Sequence, residues 1–536
     1  MWRHLAALAG DSGEASAVLA SSAVRDPPML PDPTVPASLL AVLELVRGCF
    51  TAPTFQTFAA LVTGLIAQTG RCTVTGILLG AGLTRTWSHD RAHAFFSRVT
   101  WKPDLLGIAL SHLVVRRLLS EGAVLTVTVD DTLFKRRGKN RVVAKSLSCG
   151  IAAAHGGLPR LHFREDLTWH QFSLDCERRS DLPAQPLGPA CGQSARLDRA
   201  GLCNGPGGKK VFGAAWQHDG AARGSRPVGR GTCFVVVGIV VQLPFLARPV
   251  CLPVMARLWR PKQEQSKAGL AASMIRLLAA CHDGRHIHVV ADAAYHGKAL
   301  RALPSTCTFT TRLPASAVLY DLAPPPTGRR GRPALKGQRL GTAKDLADTA
   351  DFTTATVTRY QRTETVHLTA TTCLWYGSFH TRTVQIVLLR DEDTVSGYDL
   401  ALVTTDLDTP LPDLVTRYAW CWPIEVTFAE ARDLFGAGQA QSRTRHAVER
   451  TVPFSLYCYT ITVVWYALHG HHPADAAEHR ERAPWYTTKA DPSLSDMVAK
   501  LRRVIIAARF TPNSPGRPTD EEIRAVQQAW AAASAA

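Results

Sequence analysis

The chain has 536 residues and a mass of 58.2 kDa, a length that suits three or four domains and excludes a single small binding module. With 46% hydrophobic and 20% charged residues, its composition is that of a globular protein, which sets aside disordered and fibrous classes. Basic residues exceed acidic ones by 17, favouring a polyanionic partner, although an arginine-heavy, alanine-rich chain is also what a GC-rich genome encodes.

Residues 1–37 carry Asp11, Glu14, Asp26 and a run of prolines rather than a charged start followed by an apolar core, so they read as a flexible tail and not as a targeting segment. From residue 38 to 122 the period is helical. Leu39, Val42, Leu43 and Val46 recur at helix spacing, as do Phe55, Phe58, Leu61, Val62 and Leu65. Gly80 and Gly82 break the pattern and Ser88 is placed to cap the next helix. Four or five helices are expected, and Arg85, Arg91, Arg98, Arg116 and Arg117 read either as a DNA-facing set or, more often for such a scatter, as solvated surface.

At Ala123 the period changes. Residues 124–129 form a β-branched run that reads as a strand ending at Asp130, and a basic stretch follows it. A second strand block is expected from Val211 and a third over 233–243. A helical pattern follows with Leu270, Met274, Leu277 and Leu278, then a strand over 286–290 that ends at Asp292. Residues 140–208 hold Gly, Pro, Arg, Ser and four cysteines without helix or strand period. So long a structureless tract inside a compact domain reads as a disordered insertion, and its removal would leave a simple hairpin between 124–139 and 210 onward.

Residues 306–405 are β in character, with strands expected over 352–360, 365–375, 383–390 and 398–405. After Asp413 the helical pattern returns, with Ile424, Phe428, Ala431 and Phe435 on one face. The apolar runs 233–243 and 452–468 fall short of the roughly 20 residues of a spanning helix, so a buried strand and a buried helix are expected, and no membrane span. Thirteen cysteines without a CxxC pair argue against a zinc ribbon or a disulfide framework and suit a reduced, cytoplasmic protein.

Three acids stand in specific contexts: Asp130 and Asp292 at strand ends and Glu425 on a helix. Strand-end carboxylates at one edge of a sheet can converge from distant parts of a chain, and a helix beside that edge can add a third. Such an all-oxygen set suits Mg²⁺ or Mn²⁺. A pair of such ions can drive in-line phosphodiester displacement without a histidine or lysine base. Taken alone, each acid is more often a turn former than a ligand.

Their flanks carry a resemblance. Val129-Asp130-Asp131-Thr132, Val290-Ala291-Asp292-Ala293-Ala294-Tyr295 and the stretch from Tyr418 through Glu425 to Arg432 resemble the three motifs of the DDE transposases of bacterial insertion sequences, in the branch with a Tyr-x2-Arg-x3-Glu-x6-Lys signature. Cys421 stands where that signature has arginine, and Arg432 where it has lysine.

The resemblance implies a mixed α/β protein with a ribonuclease-H-like catalytic core. Its parts would be the tail (1–37), a helical DNA-binding or dimerisation domain (38–122), a first core segment (123–300), a β-rich insertion domain (301–412), a second core segment with the Glu helix (413–470) and a helical C-terminal tail (471–536). The 132 residues between Asp292 and Glu425 leave room for the insertion domain, and the 161 between Asp130 and Asp292 become ordinary once 140–208 are set aside. Asp130 is preferred to Asp131 because the family pattern is Asp-x-Thr, and because alternation turns only one of the two toward the metal.

The resemblance further implies catalysis and metal binding by Asp130, Asp292 and Glu425, with two Mg²⁺ ions for which Mn²⁺ can substitute. It implies DNA contacts by Tyr295, Tyr418 and Arg432. The segment Gly328-Arg329-Arg330-Gly331-Arg332-Pro333 with Lys336 reads either as a minor-groove hook or as a solvated basic linker. The expected activity is cleavage of element ends and their joining to target DNA by a dimer assembled on DNA. A decayed copy that only binds DNA is the alternative, and a glycosidase with an acid pair is disfavoured by the basic charge. His286 and His288 are expected to face away from the core, His469, His471 and His472 to be exposed polar surface, and Trp420 and Trp422 to be core.

Overall fold

In the computed structural model of the chain the described residues are 35–136, 211–220, 227–262, 265–325 and 333–509. Most of the expected tail, the expected insertion 140–208 and Arg329, Arg330 and Arg332 lie outside them. The described residues belong to one compact unit.

The N-terminal helices are α1 (Ala37–Glu44), α2 (Ala52–Ala67), α3 (Val74–Gly80), α4 (His89–Ser97) and α5 (Pro103–Leu118). α2 is buried along most of its length, because Phe55, Phe58, Leu61, Val62 and Leu65 form a stripe that only a surrounding bundle can cover. Thr73 accepts the Gly76 N–H at 3.1 Å and caps α3. Ser88 does occupy the N-cap of α4, but its side chain makes no cap bond.

Strand β1 (Leu125–Lys135) runs through Asp130 and Asp131 instead of ending there. Its antiparallel partner is β3 (Val228–Val241), in register from Val127 opposite Ile239 to Lys135 opposite Gly231. The hairpin expected with the block from Val211 is therefore corrected: residues 211–214 form a turn, and the short β2 (Ala215–His218) pairs with the outer part of β3. Length and burial decide this, since β3 holds a continuous buried run from Gly231 to Val241 whereas β2 alternates half-exposed residues.

β4 (Val250–Trp259), which the sequence did not announce, pairs with β3. Pro253 hides it, because a proline argues against a strand interior. The register shift beside Gly238 absorbs the missing donor.

α6 (Lys267–Cys281) leads to β5 (Ile287–Ala291), then come β6 (Cys307–Arg312), a two-stranded ribbon of β7 (Leu319–Tyr320) and β8 (Arg339–Gly341), and helix α7 (Ala343–Thr349). Strands β9 (Thr353–Arg359), β10 (Arg362–Cys373), β11 (Val384–Asp391) and β12 (Leu400–Thr404) follow. All except β7 and β8 lie in one mixed sheet ordered β2-β3-β1-β5-β6-β12-β11-β10-β9, with β4 attached to β3. The strands expected in an insertion domain thus extend the same sheet, joined to it where β6 pairs with β12.

The chain closes with α8 (Leu411–Ala419), α9 (Pro423–Leu434), α10 (Arg445–Trp465), α11 (Asp475–Arg482) and α12 (Leu494–Ala508). α10 continues as a π turn to Gly470, and the whole is long and apolar enough to cross a membrane, yet 89% of its apolar window is buried inside the protein. It packs on β4 and on α5. Its buried Arg450 donates to the carbonyl oxygens of Phe96, Val99 and Trp101 at 3.2, 2.8 and 2.9 Å, satisfying acceptors in the last turn of α4 and just beyond it.

Candidate active site

β1 and β5 run parallel, with Val129 opposite Ala291 as their last pair. Asp130 and Asp292 each follow that pair by one residue, so the register brings two acids side by side on one face of the sheet. Thr128, Asp130 and Thr132 share that face by alternation, and Asp131 is turned to the other. There its carboxylate accepts from Lys267 Nζ at 2.5 Å, Tyr295 OH at 3.1 Å and Cys233 Sγ at 3.3 Å.

The third acid arrives on α9, which begins with Pro423 and carries Glu425 in its first turn. Ile424, Thr427, Phe428 and Ala431 are buried, and Thr427 Oγ1 donates to the Cys251 carbonyl of β4 at 2.9 Å. That anchorage leaves Glu425 on the exposed side. Just before the helix, Cys421 Sγ accepts from Thr128 Oγ1 at 3.7 Å, tying the entry of α9 to the face of β1 that bears Asp130.

The electrostatics follow from this convergence. Burial pushes the Asp130 carboxyl up to about 7; the Asp131 N–H, which donates to Asp130 Oδ1 at 2.7 Å, works against the rise, and the charges of Asp131, Glu425 and Asp292 add to it. Burial also raises Glu425, with Asp292 adding to it. Cys421 is pushed up to about 12, chiefly by burial, and it too feels all three acids. Asp130, Asp292 and Glu425 therefore share one field of negative charge.

Three hard oxygen donors in mutual repulsion match Mg²⁺ or Mn²⁺ in donor chemistry. Among the described residues no group of three or more His, Cys, Asp or Glu side chains is drawn together at metal-binding spacing.

The other expected contact residues take different places. Tyr295 is 2% exposed, with its hydroxyl donating to Asp131. Tyr418 is half-buried and feels the charges of Cys421 and Asp292. Arg432, two turns after Glu425, donates to Thr132 Oγ1 and lies over the Phe134 ring at 5.5 Å. Lys336 sits over the rings of Tyr320 and Tyr376, at 3.6 and 5.1 Å. His288, expected to face away from the core, is fully buried, because Thr308, Thr310 and Asp406 supply polar partners inside the sheet.

One neighbour of the acids had no sequence signal. Tyr360 and Gln361 form the tight turn between β9 and β10 with φ of 49° and 69°. That turn ordinarily calls for Asn or Gly, so Tyr360 reads as the last residue of a strand rather than as a turn residue. Tyr360 is exposed and stands within electrostatic reach of Glu425 and Cys421.

Residues 46–153 and 206–382 match the protein family described as DDE superfamily endonuclease. The gap, 154–205, lies within the tract expected to be an insertion, and the match stops before Glu425. No curated protein matches the chain. The match covers more than half of the sequence, and the chain belongs to the DDE endonuclease superfamily.

Proposed function

We propose that the protein is a DNA transposase of an insertion sequence, which cleaves the ends of its element and joins them to target DNA. Membership of the superfamily implies a ribonuclease-H-like core, a DNA substrate and divalent metals. The observation that carries the finer reading is the register of β1 and β5, which sets Asp130 beside Asp292 within reach of the Glu425 charge.

Asp130, Asp292 and Glu425 would hold two Mg²⁺ or Mn²⁺ ions. Bound there, the ions would activate a water or a 3′-hydroxyl and stabilise the leaving oxygen of the phosphodiester. Asp130, with its carboxyl near 7, would hold an ion in its deprotonated form. Glu425 and Asp292, both exposed, face the DNA, and Tyr418 borders the strand to be cut. Arg432 braces Thr132, two residues beyond Asp130. The basic segment 328–333 suits a phosphate or groove contact outside the cut.

Both element ends must be held together while each is cut, which favours a dimer assembled on DNA. We assign the protein to the cytoplasm, where that DNA lies. The excess of 17 basic residues makes binding steeply salt-dependent.

The test is nicking of a labelled duplex from the flanking repeats with Mg²⁺ or Mn²⁺, comparing the wild type with Asp292→Ala. Metal-dependent nicking that disappears in the variant is the expected result. Salt-sensitive binding without nicking in either protein would overturn the proposal in favour of a DNA-binding remnant, to which Cys421 in place of the signature's arginine also points.

A further inference from the structure

Asp292 and Glu425 are separated by 132 residues, and the chain between them leaves the core along β6 and returns along β12. An excursion of that length has many ways to move, yet the two acids must keep a fixed separation to act on one phosphate. A buried polar cluster lies where the chain leaves and returns.

Its hub is Asp406, 6% exposed and two residues past the end of β12. Its carboxylate lies 3.4 Å from His288 Nδ1 on β5 and 3.6 Å from Arg417 Nη1 on α8. The same carboxylate accepts from the backbone N–H groups of Asp408 and Thr409, at 3.3 and 3.1 Å, and from Thr409 Oγ1 at 2.9 Å. Arg417 Nη1 also donates to Thr409 Oγ1 at 3.2 Å. The turn that starts α8 is thereby fixed at both ends.

On the sheet side, His288 Nδ1 is 2.8 Å from Thr308 Oγ1 and its Nε2 is 3.2 Å from Thr310 Oγ1. Thr310 donates to Thr404 Oγ1 at 2.8 Å, and Thr404 Oγ1 accepts the Asp406 N–H at 3.0 Å. The next residue of β6, Thr311, donates to the Asp292 carbonyl at 2.8 Å. The cluster thus bridges the strand that ends in Asp292, the strands that open and close the excursion, and the helix that hands the chain to Tyr418, Cys421 and Glu425.

We propose that His288, Asp406 and Arg417 form a positioning clamp that fixes the start of α8, and with it the approach of the Glu425 helix, to the strand that leads to Asp292, so that the acids can be drawn onto a shared divalent cation. The proposal rests on the reading of the three acids as metal ligands. The Asp406 carboxylate meets His288, Arg417, Asp408 and Thr409 rather than the three acids, so it acts through the start of α8. The His288 hydrogen bond is the first cause that holds its carboxyl well below the usual carboxylate range, as a hub needs if it is to stay charged.

The experiment compares the wild type with Asp406→Asn and with Arg417→Met, whose side chain is partly exposed and whose loss the fold is better placed to tolerate. Mn²⁺ affinity is read from the free-ion signal in electron paramagnetic resonance, and the backbone of residues 406–425 is followed by hydrogen exchange. The clamp predicts faster exchange over 406–425 in both variants and Mn²⁺ affinity lower by roughly 10–100-fold, as is usual when a group supporting a metal ligand is lost. DNA affinity should stay at the wild-type level.

Unchanged exchange in both variants overturns the clamp. So does faster exchange with unchanged Mn²⁺ affinity, which would make the cluster merely structural. A wild type that binds no Mn²⁺ refutes the metal-site reading instead, and the exchange comparison then decides by itself whether the cluster fixes α8.

Discussion

Asp130→Asn should make the protein more stable while destroying its site. The Asp130 carboxyl is pushed up to about 7 from an unfolded value near 3.9. Below about pH 4 both states bind the proton and nothing is lost. Between 4 and 7 the folded state holds more protons than the unfolded one, so stability falls as the pH rises, and above 7 the full cost is present. Three units correspond to about 4 kcal/mol. Asparagine removes that cost but weakens the bond from the Asp131 N–H by about 1 kcal/mol, leaving a gain of roughly 2–4 kcal/mol at pH 8 that vanishes at pH 4.

Urea unfolding of wild type and variant at the two pH values measures the gain. Mg²⁺ at about 100 times its Kd should stabilise the wild type by about 2.7 kcal/mol and the variant by much less. A variant less stable than wild type at pH 8, or a gain that persists unchanged at pH 4, would refute the electrostatic account of the site.

Asp131→Asn should behave in the opposite way. With Lys267 left half-buried and uncompensated, stability should drop by roughly 1–3 kcal/mol in thermal melts, while metal-dependent nicking persists, because Asp131 lies on the other face of β1. Gly107→Ala sets a Cβ 1.8 Å from the Val254 carbonyl oxygen, where α5 lies on β4. It should cost about 3 kcal/mol or more, seen as a lower melting temperature. Cys421, raised to about 12, should resist iodoacetamide at pH 8 in the folded protein and become labelled only in urea, as read by mass spectrometry.

Much of this protein is written in local patterns. The stripe of Phe55, Phe58, Leu61 and Leu65 specifies α2 because a helix period needs no distant partner. The run Val235-Val236-Val237 specifies a buried strand for the same reason. The flanks of Asp130, Asp292 and Glu425 single out three acids from 44 acidic residues, because those flanks resemble the three motifs of the DDE transposases.

What the segments could not reveal is everything that depends on which strand lies beside which. β4 stayed hidden because Pro253 is unfavourable until the bulge at Val254, opposite Val237 and Gly238 of β3, accommodates it. Tyr360 reads as strand until the β9–β10 pairing bends the chain there. Nothing local announces that the Tyr295 hydroxyl meets Asp131, 164 residues away. His288 looked outward-facing because its partner Asp406 returns only after the whole excursion. Propensity and hydrophobic period act over a few residues, whereas strand register, buried polar pairing and the sharing of charge among carboxylates exist only once distant segments meet.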